Sequence, residues 1–197
     1  MTGPLRLGVL VSGRGTNLQS LLDARGGDFA VAVVCSNRAG VPALERAARA
    51  GVPALVFDGP DRDRAHREMG ASLRARDVEL VVLAGFDRIL CPAFFAALGE
   101  EVPVIATHPS LLPRFGGPGM IGLRVHQAVL ASGERETGCT VFRVSADAVD
   151  SGEILAQRRV AVLPGDTPGA LEARVLAEEH RALVDVVRSL ARDRVSR

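Results

Sequence analysis

The chain has 197 residues, of which 47% are hydrophobic and 24% charged, and its formal net charge is +1. These values are typical of one packed globular domain, and the nearly neutral charge gives no electrostatic preference for nucleic acid or a membrane surface. The sequence contains no Trp and no Tyr, which argues against an aromatic stacking platform for single-stranded nucleic acid.

Apolar runs alternate with helical patterns along the first half of the chain. The sequence predicts strands at 5–11, 29–36, 52–57, 78–85 and 102–107. It predicts helices at 17–24, 41–51, 61–77 and 92–99. Continuous apolar strands that are separated by helices favour a parallel sheet covered on both faces.

The alternation changes after residue 120. A helix is predicted at 122–133, followed by two strands at 138–146 and 153–162 with no helix between them, which favours an antiparallel pair. A long helix is predicted at 167–193, with Thr167 as its N-cap. The predicted fold class is therefore α/β, with an open, mostly parallel twisted sheet, helices on both faces and an antiparallel strand pair near the C-terminal end.

The three cysteines, Cys35, Cys91 and Cys139, are widely spaced and form no metal-binding pattern. Cys35 and Cys139 lie in predicted strands, and we expect them to be small core residues in a reducing cytoplasm, without a structural metal. The apolar run near the N-terminus stops at Gly13, so it is too short to span a bilayer, and it lacks a signal-peptide cleavage pattern. The sequence thus predicts a cytoplasmic protein with no membrane partner.

Ligands of open parallel sheets bind beyond the carboxyl ends of the strands. This rule selects the segments 12–17, 36–40, 84–90 and 106–120. The first reads SGRGTN, and its glycines and following helix start are suited to binding a phosphate. A tight turn in which Thr16 or Asn17 caps the helix explains the same residues, so both interpretations stay open.

The segment VIATHPSLLPRFGG, residues 104–117, brings a histidine to the end of a strand. His108 could transfer protons near neutral pH, but it needs a partner. Asp150 is a candidate, because it lies in a glycine-containing turn where a carboxylate faces either solvent or a cleft. Ala106, two residues before the histidine, has no reactive group.

Other ionisable residues occur within helical patterns. His66, His126 and His180 are expected to have surface or capping roles, and Glu179 would ordinarily lie on a solvated helix face.

Eight segments in order resemble the phosphoribosylglycinamide formyltransferases of purine biosynthesis. They read SGRGTNLQ, CSNRAG, LAGFDRIL, THPSLLPRF, VHQAVL, GCTV, VDSGEILAQ and EARVLAEEH. The resemblance covers about residues 5–182 and implies a Rossmann-like formyltransferase fold. It implies a single domain over 1–197, with a nucleotide-binding half at about 1–105 and a catalytic and folate-binding half at about 106–197.

The resemblance also implies a reaction and its participants. A formyl group would pass from the co-substrate 10-formyltetrahydrofolate to the amine of 5′-phosphoribosylglycinamide (glycinamide ribonucleotide), with no metal. His108 and Asp150 match the family's catalytic pair. The implied substrate-binding residues are Gly15, Thr16 and Asn17 for the phosphate, and Glu179 for the ribose. The implied folate-binding residues are Arg88, Ile89, Leu90, Asp147 in the 145–150 loop, and Arg64 or its neighbour Arg62. A homodimer is left open.

Three positions depart from the family pattern. Ala106 stands where the family has an asparagine that is expected to donate a hydrogen bond to the formyl oxygen. The loss of one such donor typically costs about 100- to 1000-fold in rate. Asp87 replaces an apolar residue, and its carboxylate should weaken folate binding unless it points to solvent. Phe142 replaces a frequent histidine, which is a milder change.

Two alternatives remain beside a transferase impaired by Ala106. A formyltetrahydrofolate hydrolase would use water in place of the amine; the phosphate loop, Glu179 and the lack of an additional N-terminal regulatory domain argue against it. A non-catalytic nucleotide or folate binder on the same fold is supported only by Ala106. Formylfolate hydrolysis without nucleotide would indicate the first, and binding without turnover the second.

Overall fold

A computed structural model describes residues 3–144 and 150–195. The strands are β1 (Leu5–Val11), β2 (Phe29–Ser36), β3 (Ala54–Val56), β4 (Leu80–Leu83), β5 (Val104–His108), β6 (Glu136–Arg143) and β7 (Ile154–Ala161). The helices are α1 (Thr16–Ala24), α2 (Pro42–Arg49), α3 (Arg62–Arg74), α4 (Pro92–Leu98), α5 (Leu123–Ala131) and α6 (Pro168–Val195). Every helix and strand that the sequence predicts is present, with ends that differ by a few residues.

The described strands form a seven-stranded sheet in the order β3-β2-β1-β4-β5-β6-β7. Strand β1 pairs in parallel with β2 and β4, and β2 pairs in parallel with β3. Strands β6 and β7 pair antiparallel. The predicted mostly parallel α/β sheet with an antiparallel pair near the C-terminal end is thus confirmed.

Helix starts follow local capping chemistry. The Asp61 carboxylate accepts a hydrogen bond from the Arg64 backbone N–H at 3.0 Å, and α3 begins at Arg62. The Thr167 hydroxyl likewise accepts from the Ala170 N–H at 3.2 Å, as the predicted N-cap of α6. These side chains satisfy N–H groups that have no partner inside the helix.

Two compact units can be distinguished. The first extends to Ile105 and includes the end of the chain from Val187, and the second runs from Ala106 to Val186. Residues of the first core with at most 1% exposure include Leu7, Leu10, Leu18, Leu21, Met69, Leu73, Leu80 and Phe94. Fully buried residues of the second core include Val125, Val129, Cys139, Val141, Leu171, Val175 and Leu183. None of the described helices is long and apolar enough to cross a membrane.

Candidate active site

Within the first unit, three of the predicted ligand-binding segments meet at the ends of β1, β2 and β4. The Ser12 hydroxyl donates to Asn37 Oδ1 at 2.7 Å and accepts from the Asp87 backbone N–H at 3.0 Å. The Asn37 amide nitrogen donates to Asp87 Oδ1 at 2.9 Å. This closed set of hydrogen bonds fixes the relative positions of segments 12–17, 36–40 and 84–90.

The Asp87 carboxylate is engaged by protein groups. Besides Asn37, it pairs with the guanidinium of Arg38, and its side chain is 26% exposed. The negative charge of Asp87 is therefore balanced by an adjacent positive charge.

The glycine loop places Gly15 at the N-cap of α1. Gly15 has φ of 70°, and a Cβ there would lie 2.6 Å from the Ala43 Cβ. Only glycine tolerates both the left-handed backbone and this close approach. Thr16 and Asn17 are the first residues of the helix, so the interpretation in which either caps it is wrong; the N-cap residue is Gly15. The N-terminus of α1, which is the positive end of the helix dipole, therefore points toward any ligand bound in the glycine loop.

The residues expected near folate have different environments. In the segment after β4, Arg88 is exposed, Ile89 is 60% exposed and Leu90 is buried. On α3, the Arg64 Nε lies 2.8 Å from Glu68 Oε1, and this hydrogen bond raises the pKa of Arg64. Arg62 pairs with its neighbour Asp63 at 3.3 Å.

In the second unit, β5 presents the catalytic candidate. The strand ends one residue later than predicted and includes His108, which is 5% exposed. Because side chains alternate along a strand, Ala106 and His108 project to one side and Thr107 to the other. Ala106 is also buried, and its methyl group offers no hydrogen-bond donor beside the imidazole.

The His108 ring is held by both of its nitrogens. Its Nε2 lies 2.8 Å from the Phe115 carbonyl oxygen, which can only accept, so Nε2 carries a proton. Nδ1 then holds the lone pair of the neutral ring, and it lies 3.6 Å from Asp150 Oδ2. That distance exceeds a direct hydrogen bond, but it brings the carboxylate charge close to any proton on Nδ1. The predicted partnership of His108 and Asp150 is a close contact in the structure.

The backbone around this pair is constrained. Asp150 Oδ2 accepts a hydrogen bond from the Gly117 N–H at 3.0 Å. Phe115 and Asp150 are non-glycine residues with positive φ, of 55° and 51°. Such conformations are costly and persist where the surroundings fix them, which is common at functional sites.

Glu179 is buried, contrary to the ordinary expectation of a solvated mid-helix charge. It is 6% exposed, and one of its oxygens accepts a hydrogen bond from the Thr107 hydroxyl. Its neighbour Glu178 pairs instead with Arg158 at 3.3 Å. Burial, together with the nearby Glu179 carboxylate, raises the pKa of the Cys139 thiol to about 12, so this cysteine is an unreactive core residue, as expected.

Other sequence expectations have mixed outcomes. Of the surface or capping roles expected for the histidines, a surface role is wrong for His66 and His126, because both are buried. The Nδ1 of His66 accepts from the N–H of Cys91, the N-cap residue of α4, at 3.2 Å. Asp147 and most of the 145–150 loop lie outside the described residues.

No group of three or more His, Cys, Asp or Glu side chains that could hold a metal ion is found among the residues described.

Comparison with known proteins defines the class. The model of the formyl transferase family matches residues 5–187. The chain therefore belongs to the formyl transferase family, and the resemblance seen in the sequence is confirmed.

Individual relatives narrow the comparison. The phosphoribosylglycinamide formyltransferase of Mycobacterium tuberculosis is 42% identical, over 96% of this chain and 86% of that protein. The trifunctional purine biosynthetic protein adenosine-3 of Drosophila pseudoobscura is 41% identical over 94% of this chain, which spans only 14% of that relative's length. The crystal structure of glycinamide ribonucleotide transformylase 1 from Symbiobacterium toebii matches with a TM-score of 0.87 and 41% identity, covering 97% of this chain and 89% of that one.

Proposed function

We propose that this chain transfers the formyl group of 10-formyltetrahydrofolate to the amine of glycinamide ribonucleotide. The observation that carries the proposal is the His108–Asp150 pair, with Nε2 bound to the Phe115 carbonyl and Nδ1 left 3.6 Å from the carboxylate. Membership of the formyl transferase family and the names of the relatives support it.

The chemistry requires proton movement and charge stabilisation. The amine attacks the formyl carbon and forms a C–N bond, which gives a tetrahedral oxyanion; the bond from that carbon to the folate nitrogen then breaks. The amine must lose a proton, and the folate nitrogen must gain one. Protonated His108 can donate from Nδ1 to the oxyanion and then to the leaving nitrogen, while Asp150 stabilises the imidazolium and accepts the amine proton through water.

The remaining residues have binding roles in this proposal. Gly15, Thr16 and Asn17 bind the phosphate, and Glu179 binds the ribose. The folate is bound by Arg88, Ile89, Leu90, Arg64 and Asp147. The glycine at the N-cap of α1 supports the first assignment, and the buried carboxylate of Glu179 supports the second. The phosphate-binding residues thus belong to the half at about 1–105 and the catalytic pair to the half at about 106–197, while the proposed folate-binding residues come from both halves.

The first experiment compares the wild type with Ala106→Asn, with Ala106→Leu as a control of similar volume that lacks a donor. We expect Ala106→Asn to raise kcat by about 100- to 1000-fold, because it restores a hydrogen bond to the oxyanion. Calorimetric affinities for both substrates should change less, since this bond strengthens mainly in the transition state. A gain of the same size in Ala106→Leu would contradict the role of the donor.

One alternative has an observation in its favour. Ala106 removes a donor at the position expected to contact the formyl oxygen, which suits a protein that binds nucleotide or folate without turnover. Binding of both substrates with no transfer, even by Ala106→Asn, would establish that alternative.

A cytoplasmic location and a homodimer are further parts of the proposal, and light scattering at several concentrations tests the dimer.

A further inference from the structure

The loop after β5 sets the geometry of the catalytic pair. We call residues 109–117 the His108 loop. Its Phe115 carbonyl binds His108 Nε2 at 2.8 Å, and its Gly117 N–H binds Asp150 Oδ2 at 3.0 Å. Whatever fixes this loop therefore fixes both members of the pair.

Thr140 on β6 makes three hydrogen bonds at the base of the loop. Its hydroxyl donates to the Ser110 carbonyl at 2.7 Å and accepts from the Leu112 N–H at 3.0 Å. It also accepts from the Gln157 amide nitrogen at 3.0 Å. Thr140 is completely buried, and one donor and two acceptor positions are all that a hydroxyl has.

Gln157 on β7 completes the arrangement from the neighbouring strand. It lies directly opposite Thr140 in the antiparallel register. Its amide nitrogen donates to the Leu112 carbonyl at 2.9 Å as well as to the Thr140 hydroxyl. Both backbone groups of Leu112 are thus bound, one by each side chain. Gln157 is exposed and lines an open cavity of about 540 Å³, whereas its partners Thr140 and Leu112 are buried.

Two further hydrogen bonds within the His108 loop hold Arg114, the residue before Phe115. The Ser110 hydroxyl donates to the Arg114 carbonyl at 2.6 Å, and the Arg114 N–H donates to the Leu111 carbonyl at 3.1 Å. The next residue is Phe115, whose φ of 55° is unfavourable for a side chain with a Cβ. Without the hydrogen bonds from Thr140 and Gln157, the loop would relax this backbone conformation, and the Phe115 carbonyl would move away from His108.

We propose that Thr140 and Gln157 are positioning residues for the formyl transfer, and that they act on His108 through the loop. The inference rests on the proposed function. The proposal predicts that removal of the Thr140 hydroxyl changes the tautomer of the His108 ring and lowers kcat, while the affinity for the substrates changes little.

The test uses the full chain, in wild-type form and as Thr140→Val, Thr140→Ser and Gln157→Leu. The matched control is Thr137→Val on the same strand, because Thr137 is equally buried and its hydroxyl has no hydrogen-bond partner among the described residues. Nitrogen NMR of ¹⁵N-histidine-labelled protein, without substrates, reports which ring nitrogen of His108 carries the proton. Steady-state kinetics gives kcat and KM, in the Ala106→Asn background if the wild type is too slow.

We expect Thr140→Val to lose the Nε2–H form of His108 and to lower kcat by about 10- to 100-fold with little change in KM, because misplacement of a catalytic group costs rate. Thr140→Ser should restore both, and Thr137→Val should match the wild type. Gln157→Leu should lower kcat by only about three- to tenfold, the fold-change that corresponds to the loss of one hydrogen bond of ordinary strength, because the Thr140 hydroxyl still holds the loop.

An unchanged tautomer and kcat in Thr140→Val would overturn the proposal, as would an equal loss in Thr137→Val. If Thr140→Val fails to fold, Gln157→Leu decides, and wild-type values for both readouts there would overturn it. If no variant turns over, the proposed function has failed, and the tautomer measurement still tests the positioning role because it needs no reaction.

Discussion

The buried carboxylate of Glu179 needs hydrogen-bond donors, because a charge that is removed from water is stable only when it is compensated. Thr107 is one such donor, and it lies on β5 between Ala106 and His108. The hydroxyl binds one carboxylate oxygen and thereby restrains the rotation of the group. In the proposed function the Glu179 carboxylate accepts a ribose hydroxyl.

Replacement of Thr107 by Val should therefore weaken nucleotide binding. We expect the Kd for glycinamide ribonucleotide to rise by about tenfold or more, since a hydrogen bond to a charged group is lost. Thr107→Ser should restore the affinity, and the affinity for the folate should be unchanged in both variants. Isothermal titration with each substrate measures this, and a parallel loss of both affinities would indicate a general structural defect instead.

For single residues, the sequence predicted which side chains could take part in the reaction better than it predicted which of them are buried. His108 could be predicted as a candidate for proton transfer from its type and its place at a strand end, and its pairing with Asp150 from the resemblance to the family; the two side chains are in contact. The burial of Glu179 and His126 could not, because a helix pattern does not say which polar residue packs against a sheet. Nor could the pairing of Asp87 with Arg38, which joins segments 49 positions apart.

At the scale of elements, the apolar runs predicted the strands and helices well, but they left the register undetermined. Strand β6 contains a register shift between Val141 and Phe142. Counting back from the Phe142–Ile154 pair without this shift would place Thr140 opposite Ala156. The shift instead brings Gln157 opposite Thr140, and such a bulge leaves no clear sign in a single sequence.

The contact between α3 and α4 depends on Gly70. A Cβ at this position would lie 2.5 Å from the Phe94 carbonyl oxygen and 3.1 Å from the Leu98 nitrogen. Gly70→Ala should destabilise the protein by about 1–3 kcal/mol, because the overlap with the α4 backbone exceeds the gain in helix propensity of about 1 kcal/mol. Urea denaturation measures the difference.

Gly169 in the first turn of α6 provides the matched control. Nothing lies within 4 Å of a Cβ at that position, so Gly169→Ala should be neutral or stabilising by up to about 1 kcal/mol. Equal effects of the two substitutions would show that α3 and α4 separate without cost.

For the whole molecule, three histidines link stability to pH in the same direction. Burial lowers the pKa of His66, His126 and His180 below the ordinary value of 6.5. The neighbouring Arg62 lowers the pKa of His66 further. His126 Nδ1 has no hydrogen-bond partner among the described residues, and the Glu172 carboxylate, which favours the protonated ring, offsets only part of the effect of burial.

The sign of the effect follows from proton binding. Well above pH 6.5 these rings are neutral in both the folded and the unfolded chain, so their contribution is constant. As the pH falls below that value, the unfolded chain binds protons that the folded chain does not bind, and the free energy of unfolding therefore decreases. Each such proton contributes a slope of at most about 1.4 kcal/mol per pH unit, down to the lowered pKa of the folded state.

His66→Asn should remove one of these protons, because an asparagine amide does not titrate and its oxygen can still accept from the Cys91 N–H. We expect urea denaturation between pH 7.5 and pH 5 to show a shallower loss of stability in this variant than in the wild type, with a difference of up to about 1.4 kcal/mol per pH unit. The Asp166 carboxyl does not interfere, since its pairing with Arg174 lowers its pKa below 3.8. Parallel curves for the two proteins would mean that His66 is protonated in the folded state. It could then not accept the hydrogen bond from Cys91 that links it to the start of α4.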